Sequence, residues 1–242
     1  SVCTFVPSSD VIDELDARGF ENLQLLPKGV DTKLFHPKKR SLTLRQRWGA
    51  GASAVVGLYV GRVAAEKNLP LIVETFSAIR KRIPDFKGVF VGDGPKLEEL
   101  KREHPEFIYA GVLRGEALAE HYASADLFIF PSITETFGNV TLEAMASGLA
   151  VVAYDYAAAR QHIVSGENGF TAPFDDREAF LDLALEAAGR NLTLLREEAR
   201  ASARKVRWKK VVKRFEKQLE DLANRLPVGS VSESQPETVG TN

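Results

Sequence analysis

Short runs that are apolar throughout, each followed by a helical pattern, constrain this chain more than any other feature. Residues 54–61, 88–92, 107–110, 127–131 and 150–154 read as strands. None alternates apolar with polar residues, so each needs apolar cover on both faces. Between the first two, Leu69, Ile72, Phe76, Ile79 and Ile83 recur on one helical face, with Asn68 expected as N-cap and Pro70 in the first turn. Residues 95–104, 116–125 and 140–146 read as further helices. Strands buried on both faces and separated by helices predict a parallel sheet. Right-handed crossovers make it a doubly wound, Rossmann-like α/β fold.

The ends depart from this pattern. Residues 1–52 offer a strand at 3–6, a helix at 9–18, a strand at 23–26 and a polar stretch to Lys39, too little to bury a core of their own. After Phe174 the chain turns helical, at 176–188 and then from Leu192 into one long basic helix. In that last helix Trp208, Val211, Val212, Phe215, Leu219 and Leu222 share a face, while Arg204, Lys205, Arg207, Lys209, Lys210, Lys213, Arg214 and Lys217 supply charge. Such a helix suits either an anionic membrane surface or docking on the body of the protein; docking is the expectation. Residues 227–242 lack apolar periodicity and read as disordered. There is no internal repeat.

Composition removes several classes. A chain of 242 residues, 44% hydrophobic, can build a full core. Its formal charge of −1 gives no reason to expect nucleic acid. No apolar run approaches the roughly 18 to 20 residues that span a bilayer. Cys3 is the single cysteine, which leaves no intrachain disulfide or Cys-based zinc site. The four histidines do not fall at ligand spacing, so no metal is expected. Gly-x-Gly-x-x-Gly and Gly-x-Ser-x-Gly are both absent, which argues against nicotinamide or flavin and against a hydrolase elbow. No signal-peptide pattern is present, so a cytoplasmic location is expected, with peripheral contact at the inner membrane face as the alternative, and the sequons at Asn139 and Asn191 are read as coincidental. The chain starts at Ser1 and reads as excised or incomplete.

The strongest chemical signal is the segment FPSITETFGNVTLEAMASG, residues 130–148. A buried strand ends at Pro131, and a helix begins near Asn139. Gly138 lets backbone approach a ligand. The N–H groups of Asn139, Val140 and Thr141 would face an anion. Glu135 lies at the mouth of the loop and Glu143 one turn into the helix, two carboxylates able to accept hydrogen bonds from a polyhydroxylated ligand. A solvated loop charge and an ordinary first-turn acid are the plainer reading of the same two residues. The second signal is YVGRVAAEKNL, where a strand runs into Gly61 and Arg62, with Lys67 just before the next helix. Two cations beyond one strand end can neutralise a diphosphate. In VGDGP, Gly92 and Gly94 suit a tight turn or a ligand contact. In YAGV, the backbone around Val112 can read a base edge.

These residues, in this order, resemble a known family. GVDTKLFHP, YVGRVAAEKNL, VGDGP and PSITETFGNVTLEAMASGLAVVAYD are similar to the C-terminal domain of the retaining glycosyltransferase family 4, of GT-B fold, over about residues 1–220. The resemblance implies transfer of a hexosyl group from a UDP- or GDP-sugar, with retention and without a required metal, to a glycan, lipid or small-molecule acceptor. It places Glu135 near the donor sugar, Glu143 on the ribose hydroxyls, Arg62 and Lys67 on the diphosphate, and Gly138, Asn139 and Val140 on phosphate through their backbone. The leaving phosphate would help deprotonate the acceptor on the same face. The family often has Gly-Gly where this chain has Tyr156-Ala157-Ala158-Ala159-Arg160. The acceptor-binding N-terminal domain is represented only by residues 1–30, its last strand and helix with the linker, which leaves 31–226 as the nucleotide-sugar domain and 227–242 as tail. Such a fragment is expected to be inactive in transfer alone. A nucleotide-sugar-binding module without catalysis, or a membrane-surface protein acting through the basic helix, are the alternatives.

Overall fold

The computed structural model describes residues 2–51, 53–135 and 138–225; the expected tail, 227–242, lies outside them. The chain opens with β1 (Thr4–Val6), α1 (Ser9–Ala17) and β2 (Leu23–Leu25), and the two strands pair in parallel in a sheet of their own. α2 (Leu42–Arg47) follows, a helix the apolar pattern does not announce; the Ser41 Oγ caps it by accepting from the Leu44 N–H at 3.2 Å.

The main sheet holds β3 (Val56–Val60), β4 (Lys87–Val91), β5 (Ile108–Tyr109), β6 (Leu127–Phe130), β7 (Ala150–Tyr154) and β8 (Phe170–Ala172). Every pairing is parallel, and the spatial order is β5-β4-β3-β6-β7-β8. From β3 the chain winds outward to β5, returns to β6 beside β3, and winds outward on the other side. Every residue of β3, β6 and β7 is buried, which is why those runs show no alternation. The apolar pattern does not announce β8, where the half-buried Thr171 interrupts the apolar run.

The helices are α3 (Leu69–Arg82), α4 (Leu97–Glu103), α5 (Gly115–Ser124), α6 (Asn139–Ala146), α7 (Ala157–His162), α8 (Arg177–Gly189), α9 (Thr193–Lys205) and α10 (Trp208–Arg225). α3 packs on α8, and α6 on α9. Gly57 and Gly88 lie opposite each other on β3 and β4. A Cβ on Gly57 would come within 2.6 Å of Phe86, and one on Gly88 within 2.4 Å of Phe76. The two missing side chains admit the Phe76 ring, which meets Phe86, Phe90 and Phe107 edge-on at 5.3–5.5 Å. That seats α3, and the loop leading into it, at the end of β3.

The amino ends of the central strands are clamped by charge. Asp126 lies just before β6 and accepts from Arg40 at 2.8 Å, Arg45 at 3.0 Å, Arg196 at 3.3 Å and the Val56 N–H at 2.9 Å. The surplus positive charge is met by carbonyls: Arg40 and Arg45 donate to the end of α5 at Ala125 and Ser124, and Arg196 donates to Gly148 after α6. Central strands β3 and β6 are thereby fixed to each other below the site.

The single long C-terminal helix expected from Leu192 is two helices. The break falls at Val206 and Arg207, where the backbone pairs with Val30: the Val30 N–H donates to Val206 at 3.2 Å, and Trp208 sits against Gly29, where a Cβ would come within 2.7 Å of the indole. α10 then docks: Val211 is buried, and Phe215 meets Phe5 of β1 edge-on at 5.0 Å. Trp208, Val212 and Leu219 remain 45–49% exposed on the same helix.

Candidate functional site

In an open doubly wound sheet, ligands bind beyond the carboxyl ends of the strands where the order reverses. Here that point lies between β3 and β6, and both strong sequence segments end there. After β3 the chain passes Gly61 and Arg62, makes a short 3-10 turn at Ala65–Lys67, and enters α3. Asn68 occupies the N-cap position, but its backbone is left-handed (φ 53°) and its side chain makes no cap bond, a correction to the expected cap. The left-handed residue turns Lys67 back across the switch point.

Lys67 Nζ donates to Glu135 Oε1 at 2.5 Å and to the Thr134 carbonyl at 2.8 Å, with Ser132 Oγ at 3.4 Å. The Lys67 and Glu135 side chains are 17% and 16% exposed. Ser132 also donates to Glu135 Oε1, at 2.9 Å, and Tyr156 donates to the Glu135 carbonyl at 3.1 Å. Two segments far apart in sequence thus meet in one ion pair. Arg62 does not join it: this side chain is 66% exposed and pairs with Glu66, one turn on, at 3.2 Å.

The N-terminus of α6 opens beside Glu135. Gly138 is its N-cap, at φ 86°, a conformation that costs a residue with a Cβ. A Cβ there would find Glu135 Oε2 and Ala158 at ordinary contact distances of 3.8 and 3.6 Å, so backbone conformation selects glycine here. Asn139 and Val140 are the first helical residues, with N–H groups that α6 itself does not use. Thr141 corrects the expectation of three free groups, because its N–H already donates to the Gly138 carbonyl at 3.0 Å and its side chain is buried.

Glu143, one turn into α6, is half-buried, and its Oε2 accepts from the Tyr122 hydroxyl at 3.0 Å. Burial pushes its carboxyl above the ordinary value, and the Tyr122 bond pulls the other way. Gly92 has a structural duty: at φ 136° a Cβ would lie 1.9 Å from the Gly61 carbonyl oxygen. The β3 and β4 loops therefore touch through bare backbone, and the Gly92 N–H donates to the Gly111 carbonyl at 2.8 Å. Val112 follows edge strand β5, two strands from β3, and is 60% exposed.

Ser132, Tyr122, Tyr156 and Asp10 went unread as site residues. Ser132 lies inside the segment singled out by sequence; the others reach the site only through tertiary packing. Tyr156 and Ala157 wall a narrow hollow beside Glu135 and Gly138, where the family resemblance expects glycines. Ala157 is left-handed (φ 50°), a glycine-like conformation carried by alanine. Asp10 of α1 supports it, accepting from the Ala157 N–H at 3.2 Å and from Arg160 at 2.6 Å. A larger groove between α3 and α4 is lined by Leu69, Val73 and Leu100, and its Glu74 and Glu99 are paired with Arg177 and Lys96; it gathers no such combination of groups. Among the described residues, no cluster of His, Cys, Asp or Glu could hold a metal ion, and no helix is long and apolar enough to cross a membrane.

The fold and this site define a doubly wound α/β domain that gathers a cation, two carboxylates and a helix N-terminus at its switch point. The chain belongs to the family described as "Glycosyl transferases group 1", whose model matches residues 54–189. It is 40% identical over 184 residues to a GDP-mannose-dependent alpha-mannosyltransferase of Corynebacterium glutamicum, a match covering 76% of this chain and 43% of the relative. It is 38% identical over 156 residues to the sulfoquinovosyl transferase SQD2 of Arabidopsis thaliana, covering 62% and 30%. Among solved structures, Anabaena HepE in complex with UDP-glucose superposes with a TM-score of 0.79 at 19% identity, covering 91% of this chain and 64% of that one, a likeness of fold. The chain spans less than half the length of these two sequence relatives. The Rossmann-like parallel sheet expected from the sequence is what the structure holds.

Proposed function

We propose that this chain is the donor-binding half of a retaining glycosyltransferase that moves a hexosyl group from a nucleoside diphosphate sugar to a glycan, lipid or small-molecule acceptor. The observation that carries the proposal is the meeting of Lys67 and Glu135 beside the N-terminus of α6 at the switch point. The names of relatives such as the Corynebacterium enzyme favour GDP-mannose as donor; the titrations below include UDP as its competitor.

In this proposal the diphosphate lies between Lys67 and the N–H groups of Asn139 and Val140. Lys67 leaves Glu135 to meet phosphate, and Arg62 swings from Glu66 to join it. The charge of the leaving group is then neutralised by side chains and a helix terminus, with no metal called for. Glu135, released from Lys67, faces the sugar. Glu143 accepts from the ribose hydroxyls. Gly61 and Gly92 bring backbone close to the phosphates, and the backbone at Val112 borders the base. In the reaction, the bond from the anomeric carbon to the β-phosphate oxygen breaks and its electron pair leaves with the diphosphate. The acceptor oxygen bonds to the same face of that carbon, and its proton passes to the departing phosphate oxygen.

Residues 1–30 are proposed to belong to the acceptor-binding half. Orientation of the acceptor supplies much of the rate of such a transfer, so the chain by itself binds donor without transferring it. The test supplies GDP-mannose and candidate acceptors to the chain, alone and with the N-terminal half of its parent. Acceptor-dependent product should form only with both halves, and Glu135→Gln should abolish it. Transfer by the chain alone would show an acceptor site within this chain.

A further inference from the structure

Glu143 is held by a hydroxyl that the core around it does not need. Tyr122 of α5 is fully buried, its ring edge-on to Phe35 at 5.6 Å and tilted against Phe128 at 5.8 Å. Phenylalanine would fill the same space without a polar atom to satisfy. Burying a phenol is unfavourable unless its O–H finds a partner, and here that partner is Glu143 Oε2 at 3.0 Å. Glu143 Oε2 is thus anchored, while among the described residues Oε1 accepts no hydrogen bond.

We infer that Tyr122 is a positioning residue for nucleotide recognition: its hydroxyl fixes Glu143 so that the second carboxylate oxygen is ready for the ribose hydroxyls. The inference rests on the reading of Glu143 given above. Two effects support it. A flexible Glu side chain loses rotamer freedom when it engages a ligand, and a carboxylate already anchored has less to lose. The hydroxyl also favours the ionised carboxyl, which is the stronger acceptor, against the burial that disfavours it. Burial raises the Tyr122 phenol well above its own usual range, so it stays a donor at every working pH.

The test is calorimetric titration of the 242-residue chain and its Tyr122→Phe and Glu143→Gln variants with GDP and 2′,3′-dideoxy-GDP, and with the corresponding uridine pair. Wild type should prefer the ribonucleotide. Tyr122→Phe should reduce that preference about three- to tenfold by weakening the ribonucleotide alone, and Glu143→Gln should reduce it at least as far. Equal weakening of both nucleotides by Tyr122→Phe, no weakening of either, or failure of that variant to fold would overturn the positioning role. If Glu143→Gln abolishes the preference in that case, the ribose reading still stands. A preference left intact in Glu143→Gln would overturn the ribose reading itself, and this inference with it.

Discussion

Lys67→Ala separates the two duties that the structure gives this lysine. In the structure Lys67 neutralises Glu135, and its three contacts join the loops that follow β3 and β6. Exposed pairs contribute up to about 1 kcal/mol, and breaking a fully buried pair costs about 3–5 kcal/mol. At 17% and 16% exposure this pair falls between those limits. Glu135 keeps its bond from Ser132, which softens the loss. The expected destabilisation is about 1–3 kcal/mol, or a fall in Tm of about 2–12 °C for a domain of this size. In binding, the same substitution removes a charge-assisted contact to phosphate, worth about 1–3 kcal/mol, or about fivefold to 150-fold in affinity. Calorimetry with guanosine, GMP and GDP in EDTA, repeated with the uridine series, reads the second duty; thermal melts read the first. GDP or UDP should weaken, while the nucleoside stays the same. If nucleoside and diphosphate weaken together, Lys67 acts only by holding the loop, and the phosphate role is refuted. Binding that appears only after a divalent metal is added would refute the proposed neutralisation by side chains.

Two further perturbations follow from the charges around the site and beneath it. The native state keeps the Glu143 proton to higher pH than the unfolded chain does, because burial raises that carboxyl above 4.5. Its contribution is whole below about pH 4.5 and lost as pH rises through the raised value, so Glu143→Gln should gain in Tm over wild type as melts move from pH 4.5 to 8; a difference that does not vary with pH would contradict this. Asp126→Ala leaves Arg40, Arg45 and Arg196 without their shared carboxylate, and should cost at least about 3 kcal/mol in urea unfolding, with a loss under about 1 kcal/mol showing that the carbonyl contacts suffice.

The parts of the fold that were legible in the sequence are those set by burial. β3, β6 and β7 are covered on both faces, so their residues are apolar without alternation and their ends could be read to within a residue or two. The segments that carry Lys67 and Glu135 were legible because each follows such a strand. Their direct pairing was not legible, because it depends on the left-handed turn at Asn68, and asparagine also fits an ordinary cap. The break between α9 and α10 was hidden for a similar reason: the cause is Val30, far back in the chain, taking the backbone at 206–208. Tyr122 carries no local signal at all. It reads as one more apolar position on α5, and only the packing of α5 on α6 brings its hydroxyl to Glu143. Gly92 was legible as a turn glycine, but the contact that requires it, the Gly61 carbonyl of the neighbouring loop, was not.

A crystal structure of the 242-residue chain with GDP, or with UDP if that nucleotide binds more tightly, tests the placement of the donor most directly. The diphosphate should lie at the β3–β6 switch point, touching Lys67 and the N–H groups of Asn139 and Val140, with the Lys67–Glu135 pair opened and the ribose on Glu143. A nucleotide bound elsewhere, as in the groove between α3 and α4, with Lys67 still on Glu135, would contradict it.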